Sequence, residues 1–119
     1  MSLLPDYTSE FDKSMELVGQ SPIDEIVPWL QYGERLSAAQ AGTGNCLFKL
    51  QKALNELLLE ELTPTAANNQ RKVMIVKQQI ALGKQVEKEL GRRIKWAITK
   101  VSAEKELAKL GGVISQNNA

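Results

Sequence analysis

The apolar positions along the chain fall into three series, in which the three- and four-residue steps of a helix buried on one side recur. Phe11, Met15 and Val18 make the first, and they predict a short amphipathic helix over about residues 9–19, ended by Gly19. A longer series begins at Trp29 and runs through Leu30, Leu36, Leu47, Leu50, Leu54, Leu57 and Leu58 to Leu62. A third gathers Val76, Ile80, Val86, Leu90, Ile94, Ala97 and Val101 on one side of a helix, with Leu82 and Trp96 at its edge. The scarce aromatics and the recurrence of Ala, Leu, Glu, Lys and Gln favour helix throughout.

Punctuation residues set the boundaries. Ser21-Pro22-Ile23-Asp24-Glu25 reads as a helix start, with a capping serine, a proline at the first helical position and acids at the positive end of the dipole. Pro28 then implies a one-turn helix before a second start, or a kink. Thr63-Pro64 ends one arm and opens the next; Gly111-Gly112 supplies the stop. The first arm is thus expected over about residues 22–62 and the second over about 64–110. Residues 1–8 read as a loose lead-in and 111–119 as a flexible tail.

Gly42-Thr43-Gly44-Asn45 interrupts the first arm. It marks a turn between two helices or a helical stretch stripped of side chains so that another backbone can approach. Two helical glycines destabilise by about 1 kcal/mol each relative to alanine, which favours the break.

A short turn at Thr63-Pro64 makes the arms antiparallel, so residues whose numbers sum to about 127 lie level with each other. Glu56 then falls near Arg71, Glu34 near Arg93, and Leu47–Leu50 beside Val76–Ile80. Trp29 falls level with Trp96 if the first arm stays straight. The fold class is all-α: a long, coiled-coil-like antiparallel helical hairpin with a short N-terminal helix, one domain over residues 1–119. A chain of 119 residues has a thin core. The hairpin is therefore expected to complete a helical bundle by oligomerisation, most simply as a homodimer.

Charge adds an asymmetry that the net value of +1 hides. Residues 1–63 hold ten acids and four bases, and residues 64–119 hold four acids and eleven bases, giving −6 and +7. On the second arm Lys77, Lys84, Lys88, Arg92, Lys95 and Lys109 gather on a basic face nearly opposite the apolar one. Such a face suits mutual attraction of the arms, an acidic partner or nucleic-acid phosphates. No aromatics alternate with these bases, and the pI of about 7.8 is below that of a dedicated nucleic-acid binder.

Catalytic chemistry is missing. The chain has no histidine and a single cysteine, Cys46, which removes Cys/His zinc sites, Glu-x-x-His di-metal sites and any disulfide within the chain. Gly42-Thr43-Gly44 is too short for a dinucleotide fingerprint and lacks the lysine of a phosphate loop. No cofactor, metal or small-molecule substrate is expected. Neither a signal peptide nor a membrane span is visible, so the expected setting is cytoplasmic, with signal-less export giving the same pattern.

The expected function is therefore non-enzymatic: an adaptor, small chaperone or assembly subunit whose partner is itself, another protein, or both. Leu47, Leu50, Leu54, Leu57, Val76, Ile80, Val86, Leu90, Ile94 and Val101 are the expected helix-packing and oligomer-interface residues. Trp29 and Trp96 are the candidate partner anchors. Two alternatives remain: a nucleic-acid accessory protein using the basic face of residues 71–109, and an inhibitor or immunity protein that covers a target's site.

Overall fold

A computed structural model describes residues 4–60 and 69–117, with side chains described as far as Gly111. Three helices follow one another: α1 (Thr8–Val18), α2 (Ile26–Glu60) and α3 (Asn69–Asn117). No strand occurs among the described residues. The two long helices pack side by side as an antiparallel pair, and α1 lies against both. The molecule measures 84 × 18 × 17 Å, a rod set by α3, whose 49 residues span about 73 Å at 1.5 Å per residue.

The core is a single aliphatic seam between α2 and α3, closed at one end by aromatics. Leu36, Leu50, Leu54 and Leu57 of α2 meet Val73, Val76, Ile80, Val86, Leu90 and Ala97 of α3, while Phe11 of α1 joins from above. The interleaving follows the antiparallel register. Asn69 donates to Glu60 at one end (3.1 Å), the Trp29 and Trp96 rings meet in the lower half at 4.5 Å, and Lys100 reaches Asp24 (3.9 Å). Trp29 and Trp96 are thus level, as a straight first arm requires.

Several local expectations are corrected. Pro28 neither kinks α2 nor restarts it: the helix begins at Ile26, so Pro28 lies in the first turn, where a missing N–H leaves no bond unmade. Ser21 and Pro22 lie before the helix and do not open it. Residues 42–45 make no break, and α2 is continuous through both glycines. Thr43 is buried there and donates its hydroxyl to the Ala39 carbonyl (2.9 Å). A Cβ on Gly44 would come within 3.9 Å of the Glu87 carboxylate, so tertiary packing outweighs the weak propensity.

Gly111-Gly112 does not stop α3, which continues to Asn117. No described glycine has positive φ, so none adopts the left-handed cap that ends helices. Pro5 and Tyr7 are not a loose lead-in. The Gln79 amide accepts from the Tyr7 N–H and donates to the Pro5 carbonyl, both at 2.9 Å. The expected turn at Thr63-Pro64 lies outside the described residues.

Level with the start of α2, α3 has reached about Ser102, and its remainder projects beyond the hairpin with Leu107 and Leu110 exposed. Among the described residues, no helix is long and apolar enough to cross a membrane.

Candidate functional site

The two faces of the hairpin differ, and α1 makes the difference. It occupies one groove between α2 and α3, where Gly83 leaves room for it. A Cβ on Gly83 would lie 2.7 Å from Leu47 Cδ2 and 2.8 Å from Phe11 Cζ, so the absent side chain is the seat of the Phe11 ring. Phe11 and Gly83 are both buried.

The C-terminal end of α1 is fastened by Arg93. Its guanidinium stacks on Trp96, with Cζ 3.6 Å from the ring centroid, and donates from Nε to the Tyr32 hydroxyl (2.9 Å). It also reaches the Gln20 carbonyl and Ser21. Tyr32 in turn donates to the carbonyls of Leu17 (2.6 Å) and Val18 (3.1 Å), the last two residues of α1. These bonds use the terminal carbonyls that a helix cannot satisfy internally. Trp29 packs edge-on against both Tyr32 and Trp96 and donates its indole N–H to Asp24 (3.3 Å). The tryptophans are therefore structural anchors within the chain; Trp29 is fully buried.

Arg93 is thus committed to α1 and not to Glu34, its expected neighbour. Glu34 lies on the other face. Glu56 and Arg71, expected near each other by register, form no ion pair; the ion pairs among the described residues are Arg92–Glu89, Lys100–Asp24 and Lys109–Glu106. All of these are exposed enough to contribute little.

Cys46 is half-buried. Its thiol is pushed above the ordinary cysteine range by burial first and by the Glu10 carboxylate second, against a smaller opposing effect of Lys49. That favours the unreactive neutral thiol. Among the described residues no group of three or more carboxylates or thiols could hold a metal ion.

The residues expected to form an oligomer interface are mostly spent inside the chain. Leu50, Leu54, Leu57, Val76, Ile80, Val86 and Leu90 are buried, and Leu47, Ile94 and Val101 are half-buried against them. Their packing is between helices of one chain. The apolar side chains left outside are different ones: Met15, Ile75 and Leu82 are exposed on the α1 side, while Leu30 and Ile98 line a groove on the face opposite α1.

That face carries a groove of about 520 Å³ between α2 and α3. Leu30, Gly33, Glu34 and Ser37 form one wall; Ile94, Ile98, Val101, Ser102 and Lys105 form the other, with Trp29 and Ala97 as floor. Leu30 is 45% exposed and Ile98 61%. Further along α2, on the seven-residue row that starts at Glu34 and includes Ala41, stands Phe48, 74% exposed.

The same seven-residue spacing places the lysines. Lys77, Lys84 and Gly91 lie in one row with Ile98 and Lys105; Lys88 and Lys95 lie in the adjacent row with Ser102. Ile98, Ser102 and Lys105 line the groove, which fixes the side both rows face. A second, shallower depression of about 410 Å³ at Gln70, Val73, Met74 and Lys77 lies on these rows too. Lys105 therefore borders the open groove and Lys77 the second depression, Lys84 lies between them on the same row, and Lys88 and Lys95 lie one row further out. Arg92 departs from them and pairs with Glu89 at 3.0 Å. Phe48 and Ile98 escaped the sequence reading because they stand one step off the core seam; Leu30 was read as part of the first arm's apolar series and is exposed instead.

No protein-family model, no curated protein and no solved structure matches the chain.

Proposed function

We propose that this chain is a non-enzymatic protein-interaction module, an adaptor, small chaperone or assembly subunit, which works by laying a helix against the open face of its hairpin. One observation carries the reading. The chain satisfies its own core and covers one groove with α1, yet it leaves the opposite groove open, with Leu30, Ile98 and Phe48 in solvent. Scattered surface hydrophobics need no explanation, but apolar side chains gathered along one helix-wide groove are the usual mark of a binding face. Helix-in-groove docking reads anchors at this spacing. Rigid, long helices hold the wall residues in place without a partner, so little ordering entropy is lost on binding.

Site-specific photocrosslinking in native cells tests this. A crosslinker at position 48 or 98 is expected to capture protein, as a second copy or as a different chain, whereas one at Lys13 on α1 is not. Sedimentation velocity of the purified chain separates the two kinds of partner. Equal capture from all three positions, or none from 48 and 98, overturns the proposal.

A further inference from the structure

The charge on the open face says more about its occupant, and this step rests on the interaction-module reading above. We infer that the groove between α2 and α3 receives an amphipathic helix of a different protein, apolar on one side and acidic along one flank. The α2 wall is close to neutral. Its outward rows hold Leu30, Ser37, Gly44 and Phe48, with Glu34 as their acid. The α3 wall is basic: Lys77, Lys84 and Lys105 in the nearer row, Lys88 and Lys95 in the outer one, against Glu87 at the seam. Among the described residues none of these five lysines is in an ion pair.

A helix seated here thus meets apolar groove beneath it, small residues on one side and unpaired cations on the other. Gly33 and Ser37, both in the groove wall, let its backbone come close; Lys84 and Lys105 stand about 32 Å apart along α3 at 1.5 Å per residue, enough to flank roughly six helical turns. The opposite groove shows the geometry in use, since α1 carries Glu10, Asp12 and Glu16 against a single base, Lys13, and seats a phenyl ring between the same two helices.

A second copy of the chain is a poor occupant. Face-to-face pairing sets five lysines against five, relieved by Glu34 and Glu87 of each copy, and like charges held together at an interface oppose binding. Nucleic acid is also a poor occupant: the residue among the α3 lysines is the aliphatic Ile98, and the one exposed ring, Phe48, stands on the α2 wall, so aromatics do not alternate with the cations as base stacking requires.

The test uses the full chain and a fluorescein-labelled synthetic helix of about three heptads, with leucine at a and d, glutamate at e and glutamine at g. One twin replaces glutamate by lysine; another replaces leucine by serine. Anisotropy is expected to show binding of the Glu/Leu helix that weakens as salt rises through the range where the screening length falls below about 10 Å. Both twins bind at least about tenfold more weakly, as does the Glu/Leu helix to K84E/K105E or to Ile98→Asp. All of these substitutions are at exposed positions, and an unchanged circular-dichroism melt shows that the fold is kept.

Equal binding of the lysine twin overturns the charge assignment, and equal binding of the serine twin overturns the groove. No peptide binding, together with a dimer that Ile98→Asp dissociates, gives the face to a second copy. Duplex DNA that binds with K84E/K105E sensitivity and Ile98→Asp indifference gives it to nucleic acid. Failure of the peptides while crosslinks from positions 48 and 98 persist removes the acidic helix alone. Loss of those crosslinks removes the module reading as well.

Discussion

Gly83→Ala should change sign with the residue at position 11. In an ordinary helix interior the substitution stabilises by about 1 kcal/mol, because alanine loses less backbone freedom on folding. At Gly83 the new Cβ would stand 2.7 Å from Leu47 Cδ2 and 2.8 Å from Phe11 Cζ, distances that real carbon atoms do not keep. Leu47 can turn its terminal methyl aside. The Phe11 ring is fully buried and must move as a body, and α1 moves with it. Overpacking of this kind costs about 1–3 kcal/mol, so Gly83→Ala alone should destabilise the chain by about 1 kcal/mol after the helix gain is subtracted. Phe11→Ala costs about 3–5 kcal/mol for the cavity and lost burial, but it also empties the contested space. In that background Gly83→Ala should stabilise by the full propensity term, about 1 kcal/mol. The difference is a coupling of about 2 kcal/mol, readable in a double-mutant cycle from urea titrations followed by far-ultraviolet circular dichroism. Stabilisation of equal size in both backgrounds would refute the argument that an absent side chain seats α1.

Leu90, 0% exposed, should not tolerate a charge: Leu90→Asp strands a carboxylate in the seam and is expected to unfold the hairpin in a thermal melt, and Leu54→Asp likewise. Lys84→Glu, at an exposed position, should leave the melting temperature within about 1–2 °C, since surface charge changes are worth a few tenths of a kcal/mol. Arg93→Met removes the stack on Trp96 and the bonds to Tyr32 and Gln20, and should lower stability by about 1–3 kcal/mol. Faster hydrogen exchange confined to α1 and the following loop would locate that loss, and uniform acceleration would contradict the clasp. Because burial raises the Cys46 thiol, the protonated form is favoured by folding; alkylation should have its pH midpoint above that of the urea-unfolded chain, and stability should fall as pH rises through the thiol range. A native midpoint at or below the unfolded one would contradict it.

Periodicity carried the helices, because spacing of three and four is a property of one helix and does not depend on what it meets; the antiparallel register needed the turn signal at Thr63-Pro64 as well. Trp29 opposite Trp96, and Leu50 and Leu90 at the centre of the seam, follow from that spacing and a chain reversal near residue 64. The apolar rows of the open face were there as well, in Leu30, Ser37 and Gly44 and in Lys84, Gly91 and Ile98. Sequence could not say which side of the seam α1 would cover, because that choice depends on contacts between residues far apart in the chain: Phe11 on Gly83, Gln79 on Tyr7 and Pro5, Arg93 on Tyr32 and Gln20.

The glycines show the same division. Their propensity argued for a break at residues 42–45 and a stop at 111–112, yet α2 and α3 run through both. Glycine permits a left-handed turn without requiring one. At Gly44 the helix is held by the seam around it, where Thr43 is buried and α3 lies close; at Gly83 the missing side chain became a seat for another helix. Local sequence determined where helices form and which residues share a side. Only tertiary packing decided which glycines are contacts, which groove was filled and which was left open.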